Sequence, residues 1–380
     1  NCWGRTGTWE ADRARFPKGL RAVTDHALHA GIRSIVWFEP ERVAPGTWLH
    51  DERPRWLLAS REQKTMARGE QPATWDDLWI AARLLDLGHD EARAWLVERV
   101  TSLIESEGID VYRQDFNLNP LPYWRDNDGP EREGLAENRY VIGYLAFWDA
   151  LRERFPQVLL DSCASGGRRN DLETLRRGVI LHPTDHRHDD LPVKQAIRHT
   201  LFQWMPFFGG AVLPLDRVDA YAFRSTMGLS TALGFDLRRE HDLDLLRKLA
   251  AEWHEVAPLY YGDFYPLTSY SLDDDAWMAW QFHRPREGDG LVQVFRRSSS
   301  PYESASFALC GLDAASVYEL KDYDQPSPVR RRGAELLAGL RVEMAERPQS
   351  RTIRYREVPL AGTDTRSGSI ERAVCPAGEV

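Results

Sequence analysis

The 380-residue sequence has no long apolar run, no basic block and little cysteine, and each lack removes a class of function. No apolar stretch approaches the roughly 20 residues that a helix needs to cross a bilayer, so a helical membrane span is excluded and no membrane partner is expected. The net charge of −9 carries no basic stripe that would neutralise phosphates, which argues against nucleic acid as a partner. The four cysteines, Cys2, Cys163, Cys310 and Cys375, have neither metal-ligand nor disulfide-framework spacing. They read as reduced thiols and leave the compartment open, with the cytoplasm preferred. The opening Asn1-Cys2-Trp3-Gly4 lacks an initiator methionine, a charged n-region and an apolar h-region. The expectation is therefore a chain cut from a longer protein, without a signal peptide of its own.

What is present is a run of βα-like units. From about residue 18 to 240, amphipathic helical patterns alternate with short apolar runs at 34–38, 84–87, 109–113, 158–161, 179–181, 211–213 and 229–233. Seven such units predict an α/β fold, a (β/α)8 TIM barrel whose first strand lies upstream of Asn1. A doubly wound open sheet is the competing architecture, but no glycine-rich phosphate fingerprint follows any strand. After Tyr260-Tyr261-Gly262 the period becomes alternating, with strands expected at 277–282, 291–295, 306–309, 317–320 and 352–355. The predicted domains are a barrel over 1–262, a C-terminal antiparallel β-sandwich over 263–361 and a disordered tail over 362–380. Fourteen tryptophans suit a core; they equally suit sugar binding, because a pyranose face stacks on an indole while its hydroxyls reach polar groups at the rim.

In such a barrel the chemistry sits at the carboxyl ends of the strands. Polar residues are dense there: Glu39-Pro40-Glu41-Arg42 after one strand, Gln114-Asp115-Phe116-Asn117 after another, Ser162-Cys163-Ala164-Ser165-Gly166-Gly167 after a third, His182-Pro183-Thr184-Asp185 after a fourth. One acid after a strand is commonly a helix N-cap, but two carboxylates converging on a cavity are what glycoside hydrolysis requires.

Together these segments resemble glycoside hydrolase family 36, the bacterial-type α-galactosidases, from near the start to about residue 262 and more loosely in the β-domain. Trp37-Phe38-Glu39-Pro40-Glu41 resembles the family's Trp-Phe-Glu-Pro-Glu strand end, which makes Trp37 a sugar platform and Glu39 a supporting group. Tyr112-Arg113-Gln114-Asp115-Phe116-Asn117 is similar to the family's Lys-Trp-Asp-Met-Asn motif, whose aspartate is the nucleophile. That assigns the nucleophile to Asp115 and substrate contacts to Arg113 and Asn117. Arg113 stands where the family has lysine, so a planar fork replaces a compact ammonium. Asp161-Ser162-Cys163-Ala164-Ser165-Gly166-Gly167-Arg168-Arg169 resembles the family's Cys-Ala-Ser-Gly-Gly-Gly-Arg stretch, which implies Cys163 and Gly166 at the substrate with Arg169 organising the site. The family's acid/base follows that cysteine by 22 residues, and the same count from Cys163 reaches Asp185. The family's Asp-Asp-Gly-Trp type segment has no counterpart in the chain.

The resemblance implies double displacement with retention, Asp115 attacking while Asp185 protonates the leaving oxygen, with carboxyl groups about 5–5.5 Å apart. The expected substrate is an α-galactoside oligosaccharide, no cofactor or metal is required, and the resemblance allows a homo-oligomer in which the Trp48–Trp56 or Trp75–Trp79 loops would serve a neighbour. Alternatives within enzymes are an α-N-acetylgalactosaminidase and a raffinose-type α-galactosyl transferase. A metal hydrolase using His182, Asp185, His186, His188, Asp189 and Asp190, and a non-catalytic carbohydrate-binding barrel, are the rivals of other classes.

Overall fold

The computed structural model describes residues 6–63, 74, 77, 80–187, 189–205, 207–212, 218–234, 236 and 238–359. Cys2, the Trp75–Trp79 segment apart from Asp77, His188, Leu213, Cys375 and the expected tail lie outside the described residues. The chain divides into two compact units, 1–184 and 185–380. That division falls within the span read as one barrel domain from its periodicity.

In the first unit the strands are β1 (Ile35–Phe38), β2 (Arg42–Val43), β3 (Leu57–Leu58), β4 (Arg83–Leu85), β5 (Val111–Gln114) and β6 (Leu159–Ser162). Strands β1, β5 and β6 are parallel neighbours in that order, Trp37 facing Arg113 and Arg113 facing Asp161 in register. Long helices make the crossovers that parallel pairing demands. Helix Asp90–Glu107 starts with Asp90 and Glu91 at the positive end of its dipole and stops at Gly108, whose φ of 66° lets its N–H reach back to the Ile104 carbonyl. Leu96, Val100 and Ile104, four residues apart, form its buried stripe. They share a core with Tyr112, Leu160 and Phe147, Trp148 and Leu151 of helix Leu135–Arg154.

Two expected parallel strands take other forms. The 84–87 run becomes β4, which pairs antiparallel with β2 and β3 in a separate small sheet. An apolar run of three or four residues carries no direction, so periodicity alone could not tell these arrangements apart. The 179–181 run contributes one parallel bridge, Asp161 to Val179, beyond the edge of β6.

The second unit begins with helix Leu191–Leu201, whose N-cap Asp190 accepts from the Val193 N–H. Strands β7 (Gly209–Val212) and β8 (Ser230–Leu233) pair parallel. Helices Ala220–Ser225 and Leu243–Val256 accompany them. The antiparallel strands follow: β9 (Asp263–Pro266), β10 (Trp277–Arg284), β11 (Asp289–Arg296), β12 (Ser304–Phe307), β13 (Val317–Asp322), β14 (Val329–Arg332), β15 (Leu340–Glu343) and β16 (Gln349–Val358). Six of them form one sheet in the order β14-β13-β16-β11-β10-β9, and β12 pairs with β15. The core between these two sheets includes Val292, Val294, Phe307, Val342 and Ile353. The other face of β10 and β11 packs on Tyr221, Phe223, Leu249 and Val256 of the preceding helices.

The architecture is therefore an α/β region with parallel strands followed by an antiparallel sheet domain; among the described residues the parallel strands form a three-stranded and a two-stranded sheet. None of the described helices is long and apolar enough to cross a membrane. The reduced-thiol reading holds for Cys163, which is free and buried, and is corrected at Cys310, which is disulfide-bonded.

Candidate active site

Three parallel strand ends lie side by side because their backbones bond stepwise past the sheet: the Asp115 N–H donates to the Phe38 carbonyl and the Cys163 N–H to the Gln114 carbonyl, each at 2.7 Å. The polar residues that follow β1, β5 and β6 are thereby gathered at one edge.

Asp115 is buried and heavily solvated by protein donors. Its Oδ2 accepts from the Trp37 indole N–H at 3.1 Å. Its Oδ1 accepts from the backbone N–H groups of Phe116 at 2.7 Å and Ser165 at 3.2 Å. Burial acts to raise its carboxyl, but the neighbouring Asn117 side chain and the hydrogen bonds from Trp37, Phe116 and Ser165 together outweigh it and hold the group below the ordinary carboxylate range. The result is an ionised carboxylate in a nearly dry place.

The Ser165 donor depends on an unusual turn. Ser165 has φ 46° and Gly166 φ 77°, so two successive residues are left-handed. Glycine enters that region freely, whereas serine there costs on the order of 1 kcal/mol. Ser165 also spends its hydroxyl locally, donating to Asn117 Oδ1 at 2.8 Å and accepting from Arg168 Nη2 at 3.0 Å. The sequence reading placed Gly166 at the substrate and did not single out Ser165. The Ser-Gly-Gly run was the available signal for such a turn.

Arg113 donates from Nη1 to Asp161 Oδ2, its cross-strand neighbour. Asp161 is buried and also accepts from the Leu181 N–H at 2.9 Å. Burial pushes the Asp161 carboxyl up against the opposing pull of Arg113. Arg113 is itself raised: burial would lower it, and the charge and hydrogen bond of Asp161, with the charge of Asp115 beyond, prevail. Asp161 opens a sequence motif that implies no role for it, because the pairing becomes visible only once the strand register is known.

Cys163 lies beside Asp115, and burial followed by that negative charge pushes its thiol up to about 12. It is a neutral lining group at any physiological pH. Arg169 forms a bidentate pair with Glu41, both bonds 2.7 Å. Its guanidinium lies 4.1 Å from the centres of both the Phe116 and Tyr144 rings. Glu39 accepts from Arg42 at 2.6 Å and from the Asn117 N–H at 2.9 Å.

The first unit thus brings together Trp37, Arg113, Asp115, Asn117, Cys163, Gly166 and Arg169. Asp185 is the first residue of the second unit and is exposed, in the segment leading to helix Leu191–Leu201. In that segment His186 Nε2 lies 2.9 Å from Asp190 Oδ2. Among the described residues no group of three or more histidines, cysteines or acids is placed to hold a metal ion.

The chain is similar to alpha-galactosidase 1 of Pediococcus pentosaceus, 25% identical over 334 residues, which cover 82% of this chain and 42% of the relative. It spans less than half the length of curated relatives that it matches. Among solved structures it is similar in fold to the GH36 alpha-galactosidase AgaA of Geobacillus stearothermophilus, with a TM-score of 0.76 at 21% identity over 94% of this chain and 49% of that one. A variant of AgaA in complex with raffinose gives the same TM-score at 22% identity, covering 93% of this chain and 49% of that one. The family model described as melibiase matches residues 4–206. That match takes in every strand end gathered around Asp115, and over more than half its length the chain belongs to the melibiase family.

Proposed function

We propose that this chain is the catalytic part of a retaining α-galactosidase that acts on raffinose-type oligosaccharides. The observation that carries the reading is Asp115, a buried carboxylate at a parallel strand end that accepts from Trp37, Phe116 and Ser165 and is kept ionised, as a nucleophile must be before it attacks an anomeric carbon. The raffinose-bound relative supports the substrate class. In this reading the parallel strands belong to a (β/α)8 barrel over residues 1–262, and 263–361 forms a β-sandwich.

Asp115 attacks the anomeric carbon, the bond to the leaving oxygen breaks, and Asp185 gives that oxygen its proton. Asp185, now a carboxylate, takes a proton from water, whose oxygen displaces Asp115 and releases galactose with its configuration retained. Trp37 orients the nucleophile through its N–H and offers its ring to the sugar. Arg113, Asn117, Cys163 and Gly166 line the sugar site, and Arg169 organises it.

The test is proton NMR of the first product from an aryl α-galactoside, with Asp115→Asn and Asp185→Asn beside the parent. The α-anomer as first product, with turnover abolished in Asp115→Asn and lost mainly on poor leaving groups in Asp185→Asn, is the expected result. The β-anomer would sink the retaining mechanism. A faster rate on the aryl α-N-acetylgalactosaminide would move the substrate class to the N-acetylated sugar.

A further inference from the structure

We infer that the Glu39-Pro40-Glu41 turn is a positioning device for Asp115, and that Glu41 is its principal residue. The inference rests on the reading of Asp115 as the nucleophile.

Glu41 is completely buried, and both its oxygens are fully used. Oε1 accepts from Gln114 Nε2 and from Arg169 Nη1, each at 2.7 Å. Oε2 accepts from Arg169 Nη2 at 2.7 Å and from the Tyr140 hydroxyl. Two of these donors lead to the two chain neighbours of Asp115. Gln114 precedes it, and the Arg169 guanidinium lies over the ring of Phe116, which follows it. One residue further on, the Asn117 N–H is held by Glu39, also completely buried. Two acids separated by one proline thus grip residues 114, 116 and 117 and leave the Asp115 carboxylate itself to its own donors.

Stability alone does not account for this arrangement. A buried ion pair contributes little net stabilisation compared with apolar groups of the same shape, because desolvation offsets the attraction. What charge and directional hydrogen bonds add is a fixed geometry. A nucleophile displaced by about 1 Å costs on the order of 10²-fold in rate. Among the described residues the hydrogen bonds of Glu41 go to Gln114, Arg169 and Tyr140 and none to the Asp115 side chain or its donors, so it acts chiefly on where the carboxylate is.

The test uses Glu41→Gln and Gln114→Met in the full chain, with kcat and KM on an aryl α-galactoside, the pH profile and thermal unfolding. Glu41→Gln is expected to lower kcat about 10²-fold and Gln114→Met roughly tenfold, with KM changed less than about threefold and the acid limb of the profile unmoved. Gln114→Met keeps the Glu41–Arg169 pair intact, so it decides the matter if Glu41→Gln fails to fold. Wild-type kcat in the folded variants would overturn the inference in favour of a purely structural role, and a raised KM at unchanged kcat would overturn it in favour of a substrate contact. Asp115→Asn is run in parallel. Full activity there would overturn both readings, whereas wild-type kcat in the two variants beside an inactive Asp115→Asn would overturn this one alone.

Discussion

At the scale of the residue, the site separates two buried acids that share one strand-end layer. Asp115 is lowered because its donors outweigh its burial, and Asp161 is raised because burial outweighs Arg113. The reacting form of Asp115 is the carboxylate, so kcat/KM should persist to pH values below the ordinary carboxylate range of about 4 before its acid limb falls. Trp37→Phe removes the N–H donor to Oδ2, which must raise the Asp115 carboxyl. The acid limb then moves to higher pH and the rate at neutral pH falls roughly tenfold. A limb that stays in place would refute the role of the indole N–H. The same sign governs stability: a lowered folded-state value means that Asp115 ionisation stabilises the fold above the unfolded carboxylate's pKa, a contribution lost as pH falls through the folded one. Cys163, pushed up to about 12, should remain unalkylated by iodoacetamide at pH 8 in the native protein and react once guanidinium unfolds it. Peptide mass spectrometry reads this directly.

At the scale of the element, legibility followed the length of the pattern. The helical patterns that the sequence shows over 91–106 and about 131–154 become the long helices Asp90–Glu107 and Leu135–Arg154, because an apolar stripe repeated over four or five turns leaves little freedom. The strand ends that carry Trp37, Asp115 and Cys163 were also readable, each being a polar break after an apolar run. The direction of the 84–87 run was not readable, and neither were the Glu41–Arg169 and Arg113–Asp161 pairs. Those depend on register between segments far apart in sequence, which no single segment records. Close approach is a further feature hidden from pattern. Gly143 lies on the buried side of helix Leu135–Arg154, where an added Cβ would meet the Leu87 carbonyl oxygen at 1.9 Å and its carbon at 2.5 Å. Both are backbone atoms that cannot rotate away. Gly143→Ala should therefore destabilise the protein by about 2–4 kcal/mol despite its better helix propensity. A melting temperature equal to or above the parent's would show that the helix can shift outward freely.

At the scale of the whole molecule, the change of sequence period at 262 and the division into compact units at 184 differ for a physical reason. Periodicity records secondary structure, whereas a unit is closed by what its apolar faces meet. Helices Ala220–Ser225 and Leu243–Val256 present Tyr221, Phe223, Leu249 and Val256 to a core whose other side is Met278, Trp280, Phe282, Leu291 and Phe295 of β10 and β11. Arg224 crosses the same boundary. It is buried, pairs with Glu252 at 2.7 Å and Asp324 at 2.6 Å, and donates to the Ser350 carbonyl at 3.1 Å. Cutting the chain after Gly262 would expose those apolar faces and leave the Arg224–Glu252 pair without its cover from the sheet. A fragment of residues 1–262 should accordingly fail to fold over 185–262, read as rapid amide hydrogen exchange across both helices and proteolysis within them. The fragment 185–359 keeps both sides of this core and should protect the same amides. Protection of residues 243–256 in the 1–262 fragment would show instead that the helices fold on parallel strands alone, as the periodicity suggested.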